Sequence, residues 1–191
     1  MNVGIVVEDN RDGLAYSELI RKIRDDIENT LAFPCHGVST LLKEFLKGLN
    51  YFKYGAPHSI DKALVIMDSD CSDASVWEVR LKQICERSHF VSGFPVHFHA
   101  TKCELETWLL ADENAMNQAS QVRRKNKRLG PVNIQFETYR DAKKLFQRRL
   151  LDAGLPDTPQ VYKEIASFAN IERIAARCPH FQQFITKVRG C

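Results

Sequence analysis

Two aspartates separated by one residue, Asp68 and Asp70, follow a short apolar run that begins at Lys62. The run is rich in branched residues and is bounded by polar and turn-forming sequence, which predicts a buried strand of a parallel sheet. Strand alternation would turn the two carboxylates to the same side. Neighbouring carboxylates repel each other unless a cation lies between them, so the pair favours a Mg²⁺ site. The same Asp-Ser-Asp-Cys-Ser-Asp segment could instead cap a following helix, and both interpretations stay open.

Two further acids follow predicted elements of the same kind. Glu8 comes directly after the apolar run Val3–Val7, which predicts another buried strand. Glu106 lies with Glu104 in the first turn of a predicted helix, where compensation of the helix dipole would explain both equally well. Ligands of open α/β sheets bind beyond the carboxyl ends of the strands, so Glu8, Glu106 and the two aspartates are expected to converge there. Such a cluster suits Mg²⁺ or Mn²⁺ and serves phosphoryl transfer or phosphodiester hydrolysis.

The elements that must position these acids follow a regular order. Short apolar runs alternate with amphipathic helical patterns over residues 1–112. This alternation predicts an α/β fold with a mostly parallel, Rossmann-like sheet flanked by helices. Residues 113–138 are polar and basic and are expected to form a mobile connecting segment. Residues 139–191 are predicted to form a C-terminal helical region that packs on the α/β domain.

Basic residues are concentrated in two parts of a chain whose net charge is only +3. One run lies within residues 123–128, and a second cluster lies between residues 143 and 149. Such clusters neutralise phosphates in complexes with nucleic acid, although solvated loops and helix faces have the same composition. The candidate nucleic-acid contacts are Arg123, Arg124, Lys125, Lys127, Arg128, Arg148 and Arg149.

Several classes of protein and site are disfavoured. No apolar run is long enough to cross a bilayer, and the N-terminus lacks the basic segment of a signal peptide, so a cytoplasmic protein is expected. The six cysteines have no C-x-x-C pair and no regular spacing, which predicts reduced thiols. His97, His99 and Cys103 suggest zinc, but a structural zinc site needs a fourth ligand and none is evident. The sequence has no G-x-x-x-x-G-K-[ST] motif, so any ATPase partner must be a separate chain.

Three motifs together resemble the DUF4276 family, a Toprim-like group. They are the acid after the first strand, the D-x-D of Asp68 and Asp70, and the segment from Glu104 to Asp112. The segments that begin at Tyr162 and at Arg177 resemble the C-terminal helical region of that family. The resemblance therefore spans nearly the whole chain, and it implies a sheet of the kind found in topoisomerases, primases and OLD-type nucleases.

The resemblance also implies roles for individual residues. Glu8 corresponds to the acid/base group, and the implied ligands of Mg²⁺ or Mn²⁺ are Glu8, Asp68, Asp70 and Glu106. The sequence departs from the family at two points. Cys103 stands where the H-E-x-E pattern has its histidine, and Glu8-Asp-Asn-Arg-Asp12 stands where relatives tend to have E-G-x-T-E. Asp12 could replace the second glutamate of that motif.

Three functions follow from these observations. The first is a metal-dependent nuclease of Toprim-like type, and because many relatives are encoded with phage-defence or mobile elements, the setting would be genome conflict. The second is a catalytically inactive module that binds nucleic acid or protein and acts as a sensor in a defence system. The third is a phosphotransferase or phosphohydrolase for small molecules that uses the same acids. Metal-dependent cutting of nucleic acid would distinguish the first from the other two.

Overall fold

A computed structural model of the protein describes residues 1–125 and 127–190. Its strands are β1 (Asn2–Val7), β2 (Asn29–Pro34), β3 (Lys62–Asp68) and β4 (Val96–Thr101). In the described ranges they form one sheet of four parallel strands, in the order β2-β1-β3-β4. The prediction of an α/β fold with a parallel sheet flanked by helices is confirmed. The order places β1 and β3 side by side at the centre, so their carboxyl ends are neighbours.

Helices connect the strands and continue after the last one. They are α1 (Asn10–Ile23), α2 (Val38–Tyr54), α3 (Ala74–Arg87), α4 (Leu105–Leu110), α5 (Glu113–Val122), a 3₁₀ turn (Phe136–Thr138), α6 (Ala142–Asp152), α7 (Pro159–Phe168), α8 (Ile171–Arg177) and α9 (Phe181–Arg189). No helix within the described residues is long and apolar enough to cross a bilayer.

The central strands β1 and β3 are buried on both faces, which explains why they are continuous apolar runs in the sequence. Alternate residues of each strand point to opposite faces. Val6 and Val65 pack with apolar residues of α2 and α3 on one face. Ile5 and Leu64 pack on the other face, in a cluster with apolar residues of α1 and of the helices from α4 to α9. The C-terminal helices therefore share a core with the strands whose ends carry the predicted acids.

The segment predicted to be a mobile connection begins with a helix. In α5, Ala115, Met116 and Ala119 are almost completely buried and belong to the cluster that contains Ile5 and Leu64. The prediction of an irregular connection is therefore wrong for residues 113–122. The reason is physical: the buried face of α5 uses small residues, so the sequence lacks the strong apolar stripe by which amphipathic helices are identified.

Glu78, a charged side chain of α3, contacts the outer edge of β4. Glu78 accepts a hydrogen bond from the backbone N–H of Ala100 at 3.0 Å, and its Oε1 lies 2.5 Å from the Lys187 ammonium of α9. The buried His99 ring places Nδ1 at 3.4 Å from the same oxygen. Burial by itself would raise the pKa of Glu78, but the hydrogen bonds of these three partners hold it at about 2. Glu78 is therefore ionised in the folded protein and links α3, β4 and α9.

Candidate carboxylate site at the strand ends

The site is built on Glu8 and Asp68, which lie at the ends of the adjacent strands β1 and β3. Glu8 Oε1 accepts a hydrogen bond from the backbone N–H of Asp68 at 2.8 Å. Burial raises the pKa of Glu8 to about 7, assisted by the charges of Asp70 and Asp9. The pKa of Asp68 is also raised well above its usual range, by burial first and then by the charges of Asp12 and Glu8. A carboxyl group that titrates near neutral pH can both accept and donate a proton in catalysis.

Asp12 joins this pair from the first turn of α1. Asp9 caps that helix, since its Oδ1 accepts from the backbone N–H groups of Arg11 at 2.7 Å and Asp12 at 3.0 Å. The cap brings the first turn of α1 up against the end of β1. Burial, together with the charges of Asp9, Glu106 and Glu8, raises the pKa of Asp12 to about 8. Asp12 is therefore a member of the cluster, at the place where the family motif has its second glutamate.

Glu106 enters the site from α4 and is 2 % exposed. Its Oε1 accepts a hydrogen bond from the Tyr162 hydroxyl of α7 at 3.1 Å. The Tyr162 oxygen in turn accepts from Arg11 Nη1 at 3.2 Å, and the Arg11 guanidinium lies 4.7 Å from the centre of the tyrosine ring. This chain of contacts fixes Glu106 from the C-terminal helices. No local sequence pattern predicts this contact, because Tyr162 and Glu106 are 56 residues apart in the chain.

Lys143, in the first turn of α6, provides a positive charge within the site. Its backbone N–H donates to Glu104 Oε2 at 2.8 Å, and its Nζ lies 4.0 Å from Glu106 Oε1. Burial alone would lower the pKa of Lys143, but the charges of Glu106, Asp12, Asp68 and Glu104 raise it. The sequence assigned Lys143 to the second basic cluster, and only the packing of α6 reveals that it faces carboxylates.

Asp70 differs from the prediction made for it. β3 ends at Asp68, so strand alternation does not extend to Asp70, which is exposed and has φ = 48°. Its backbone N–H donates to the carbonyl of Cys103 at 3.1 Å. The prediction that alternation aligns the two aspartates is wrong, because the chain turns at Ser69. Asp70 nevertheless remains near enough for its charge to raise the pKa of Glu8.

A disulfide joins Cys71 to Cys103 beside the site. The prediction that all cysteines are reduced thiols is therefore wrong for these two residues. A separation of 32 residues resembles no short cysteine motif, and only the adjacency of β3 and β4 brings the pair together. The bond also removes Cys103 from any zinc site with His97 and His99.

The basic residues predicted to contact nucleic acid lie on the surface around α5 and α6. Arg123 is engaged with Glu164 at 2.5 Å, and Arg149 donates to the carbonyl of Gly130. The others are exposed, and they are Arg124, Lys125, Lys127, Arg128 and Arg148. Contact with nucleic acid stays a prediction for all of them.

The donor set suits a hard divalent ion, although it is not gathered around one point. Its oxygens are carboxylate oxygens, the ligands that Mg²⁺ and Mn²⁺ prefer. Burial is the largest cause of the raised pKa values of Glu8, Asp12 and Asp68, and the charges of neighbouring carboxylates add to the rise. Among the residues that the structure describes, no three His, Cys, Asp or Glu side chains are arranged so that they could hold a metal ion together. The types of the residues therefore fit the ion, whereas their arrangement in the described residues does not form a ligand set.

The family model of a domain of unknown function, DUF4276, matches residues 10–189. The chain belongs to the DUF4276 family. No curated protein matches the sequence.

Three solved structures of the C-terminal region of the Xanthomonas campestris pv. campestris OLD protein are similar to this DUF4276 chain. The one phased with mercury has 12 % identity and a TM-score of 0.47, and the match covers 96 % of each chain. The one phased with platinum has 12 % identity and a TM-score of 0.44, over 96 % of this chain and 93 % of the other. The one phased with iodine has 13 % identity and a TM-score of 0.43, over 96 % and 95 %.

Proposed function

We propose that this protein is a Mg²⁺- or Mn²⁺-dependent nuclease that hydrolyses phosphodiester bonds. The observation that supports it most is the bond between Glu8 and the end of β3. That bond holds a carboxyl group with a pKa of about 7 against Asp68, with Asp12 and Glu106 as further acids in the cluster. Hydrolysis of a phosphodiester needs both a group that moves protons near neutral pH and oxygen ligands for a metal ion.

The acids would then serve as an acid/base group and as metal ligands. Glu8 would be the acid/base group, and because its Oε1 already accepts the Asp68 N–H, its Oε2 is the oxygen that would exchange a proton with water or with the leaving oxygen. Glu8, Asp68, Asp70 and Glu106 would hold the metal. A bound Mg²⁺ supplies Lewis-acid polarisation of the phosphate and lowers the pKa of water. Lys143 would neutralise negative charge on the phosphate oxygens.

Nucleic acid is the substrate class that the charge distribution favours. Lys143 is at the site end of α6, and Arg148 lies about 8 Å farther along the same helix at 1.5 Å per residue. A nucleic-acid backbone bound across the carboxylates could therefore reach Arg148 and then the exposed basic side chains of Arg124, Lys125, Lys127 and Arg128. A role in phage defence or in a mobile element, in the cytoplasm, is part of the proposal. Any ATPase partner would be a separate chain, since the sequence has no G-x-x-x-x-G-K-[ST] motif of its own.

Cleavage of plasmid and of single-stranded DNA and RNA, with and without Mg²⁺ or Mn²⁺, tests the proposal. The natural chain should cut one of these substrates only with metal, and Asp68→Asn should reduce the rate by two orders of magnitude or more, as for loss of a group that acts on the transition state. Asp73→Asn is the matched control, because Asp73 is exposed in the same loop and asparagine retains its helix-capping bond to Ser75. Cutting that persists in Asp68→Asn would exclude this assignment.

A binding module without catalysis is the second candidate. It is favoured by two observations: no group of three metal-binding side chains is preformed within the described residues, and Lys143 already compensates part of the acidic charge. Tight binding of nucleic acid or protein, with no cleavage under either metal, would support this candidate over the nuclease.

A further inference from the structure

The disulfide between Cys71 and Cys103 connects the two segments that carry most of the site. Asp68 and Asp70 lie just before Cys71, in the segment after β3. Glu104 and Glu106 lie just after Cys103, in the segment after β4. The bond therefore links the segment that carries the proposed metal ligands Asp68 and Asp70 to the segment that carries the proposed ligand Glu106.

Like charges act to separate these two segments. Burial is the largest cause of the raised pKa values of Glu104 and Asp68, and charges across the two segments add to it. The charge of Asp70 contributes to the rise for Glu104, and the charges of Glu106 and Glu104 contribute to the rise for Asp68. Repulsion of this kind favours conformations in which the acids are farther apart. A covalent link beside them opposes that separation and keeps the acids of the two segments near each other.

The backbone beside the link is held in an unfavourable conformation. Asp70, Cys71 and Cys103 have φ values of 48°, 60° and 64°, a left-handed region that residues with a Cβ atom seldom occupy. The segments are otherwise joined by hydrogen bonds: Asp70 N to Cys103 O at 3.1 Å, Cys103 N to Ser69 Oγ at 3.2 Å, Ser69 N to Thr101 O at 3.0 Å and Lys102 Nζ to Ser72 O at 2.7 Å. Without the disulfide, these hydrogen bonds would have to resist both the repulsion and the backbone strain.

We propose that Cys71 and Cys103 form a redox-active pair that controls the carboxylate site through thiol–disulfide exchange with a dithiol. This inference rests on the proposed function for its link to metal binding. In a reducing compartment, such as the one expected from the sequence, protein disulfides are usually transient or redox-sensing. Oxidation would favour the ion-binding arrangement and reduction would loosen it.

The exchange has a defined direction, because Cys71 is partly exposed and Cys103 is buried. One thiolate of the dithiol attacks Cys71 Sγ, the S–S bond breaks, and Cys103 leaves as a thiolate that takes up a proton. The second thiol of the dithiol then closes its own disulfide and releases Cys71 as a thiol. The protein pair gains two electrons and two protons, and the dithiol loses them.

The test compares the oxidised chain with a chain reduced by dithiothreitol and freed of it by gel filtration under anaerobic conditions. Mass spectrometry of non-reduced digests should find a peptide with Cys71 linked to one with Cys103. Reduction should raise hydrogen exchange in residues 69–73 and 102–104 and weaken Mn²⁺ binding about tenfold or more, as for loss of outer support at a metal site. Cys71→Ser should match the reduced chain under both conditions, while Cys85→Ser, which changes a free cysteine in α3, should respond to the dithiol like the natural chain.

The readouts separate this inference from the proposed function. Absence of the linked peptide, or equal hydrogen exchange in the two segments before and after reduction, would overturn the redox pair. Equal Mn²⁺ affinity in both states would overturn its control of the site. A chain that shows the linked peptide and the change in exchange, but binds no Mn²⁺ and cuts no substrate in either state, would refute the nuclease and leave the redox pair supported.

Discussion

Replacing Glu8 by glutamine should stabilise the metal-free protein at alkaline pH, although it removes the proposed acid/base group. The Glu8 carboxyl is raised from its ordinary pKa of 4.5 to about 7 in the folded state. Between those values it is protonated when folded and ionised when unfolded, so the natural protein loses stability as the pH rises through that window. Glutamine keeps an oxygen that can accept the Asp68 N–H but never ionises. At pH 8 the variant should be more stable by up to about 3 kcal/mol, the free energy that corresponds to this shift.

Urea unfolding at several pH values from 4 to 8, in the presence of a chelator, measures the effect. The difference between Glu8→Gln and the natural chain should be small at pH 4 and should grow as the pH rises. Added Mg²⁺ should stabilise the natural chain more than the variant, because binding to the folded state alone raises stability. Glu172→Gln, at an exposed site in α8, is the control and should show no such trend. A difference that does not change with pH would refute the burial argument for Glu8.

Three further outcomes are expected. Tyr162→Phe should lower the free energy of unfolding by about 1–3 kcal/mol, since Glu106 loses its buried hydrogen-bond donor; an unchanged urea midpoint would contradict that role. Glu78→Gln should lower the free energy of unfolding by about 3 kcal/mol at pH 7. This difference should shrink as the pH falls from 4.5 towards 2, where the natural carboxylate protonates and loses its bonds to Lys187 and His99. A difference that does not depend on pH would contradict this role of Glu78. Arg148→Ala should reduce the salt dependence of nucleic-acid binding by about one phosphate contact in fluorescence anisotropy, and an identical slope would exclude Arg148 from the interface.

The sheet could be predicted because its central strands are buried on both faces. Val3–Val7 and the run before Asp68 are uninterrupted apolar segments, and this pattern needs no knowledge of distant contacts. The proximity of Glu8 to Asp68 followed from the same rule, since carboxyl ends of neighbouring parallel strands share one edge. Local pattern and strand topology together were sufficient for this part of the site.

Other parts of the site depend on packing that no local pattern encodes. Lys143 and Tyr162 arrive on α6 and α7, whose orientation is set by the shared core with the sheet. The orientation of Asp70 was predicted wrongly because β3 ends two residues before it, at Asp68, and Asp70 itself has a positive φ. Cys71 and Cys103 are paired only because β3 and β4 are adjacent. In each case the missing information was tertiary.

The contact between Glu78 and the Ala100 amide affects the association of copies of this protein. Unpaired N–H groups on an outer strand are templates for a strand from another chain, which leads to strand exchange or fibrillar aggregation. Here one such amide already has an acceptor, and an incoming strand would have to displace an anion that also binds Lys187. At neutral pH, Glu78 therefore opposes the addition of a strand from another chain to the outer edge of β4 at Ala100. Strong acid, which protonates Glu78, is the condition under which we expect intermolecular β-structure to appear first.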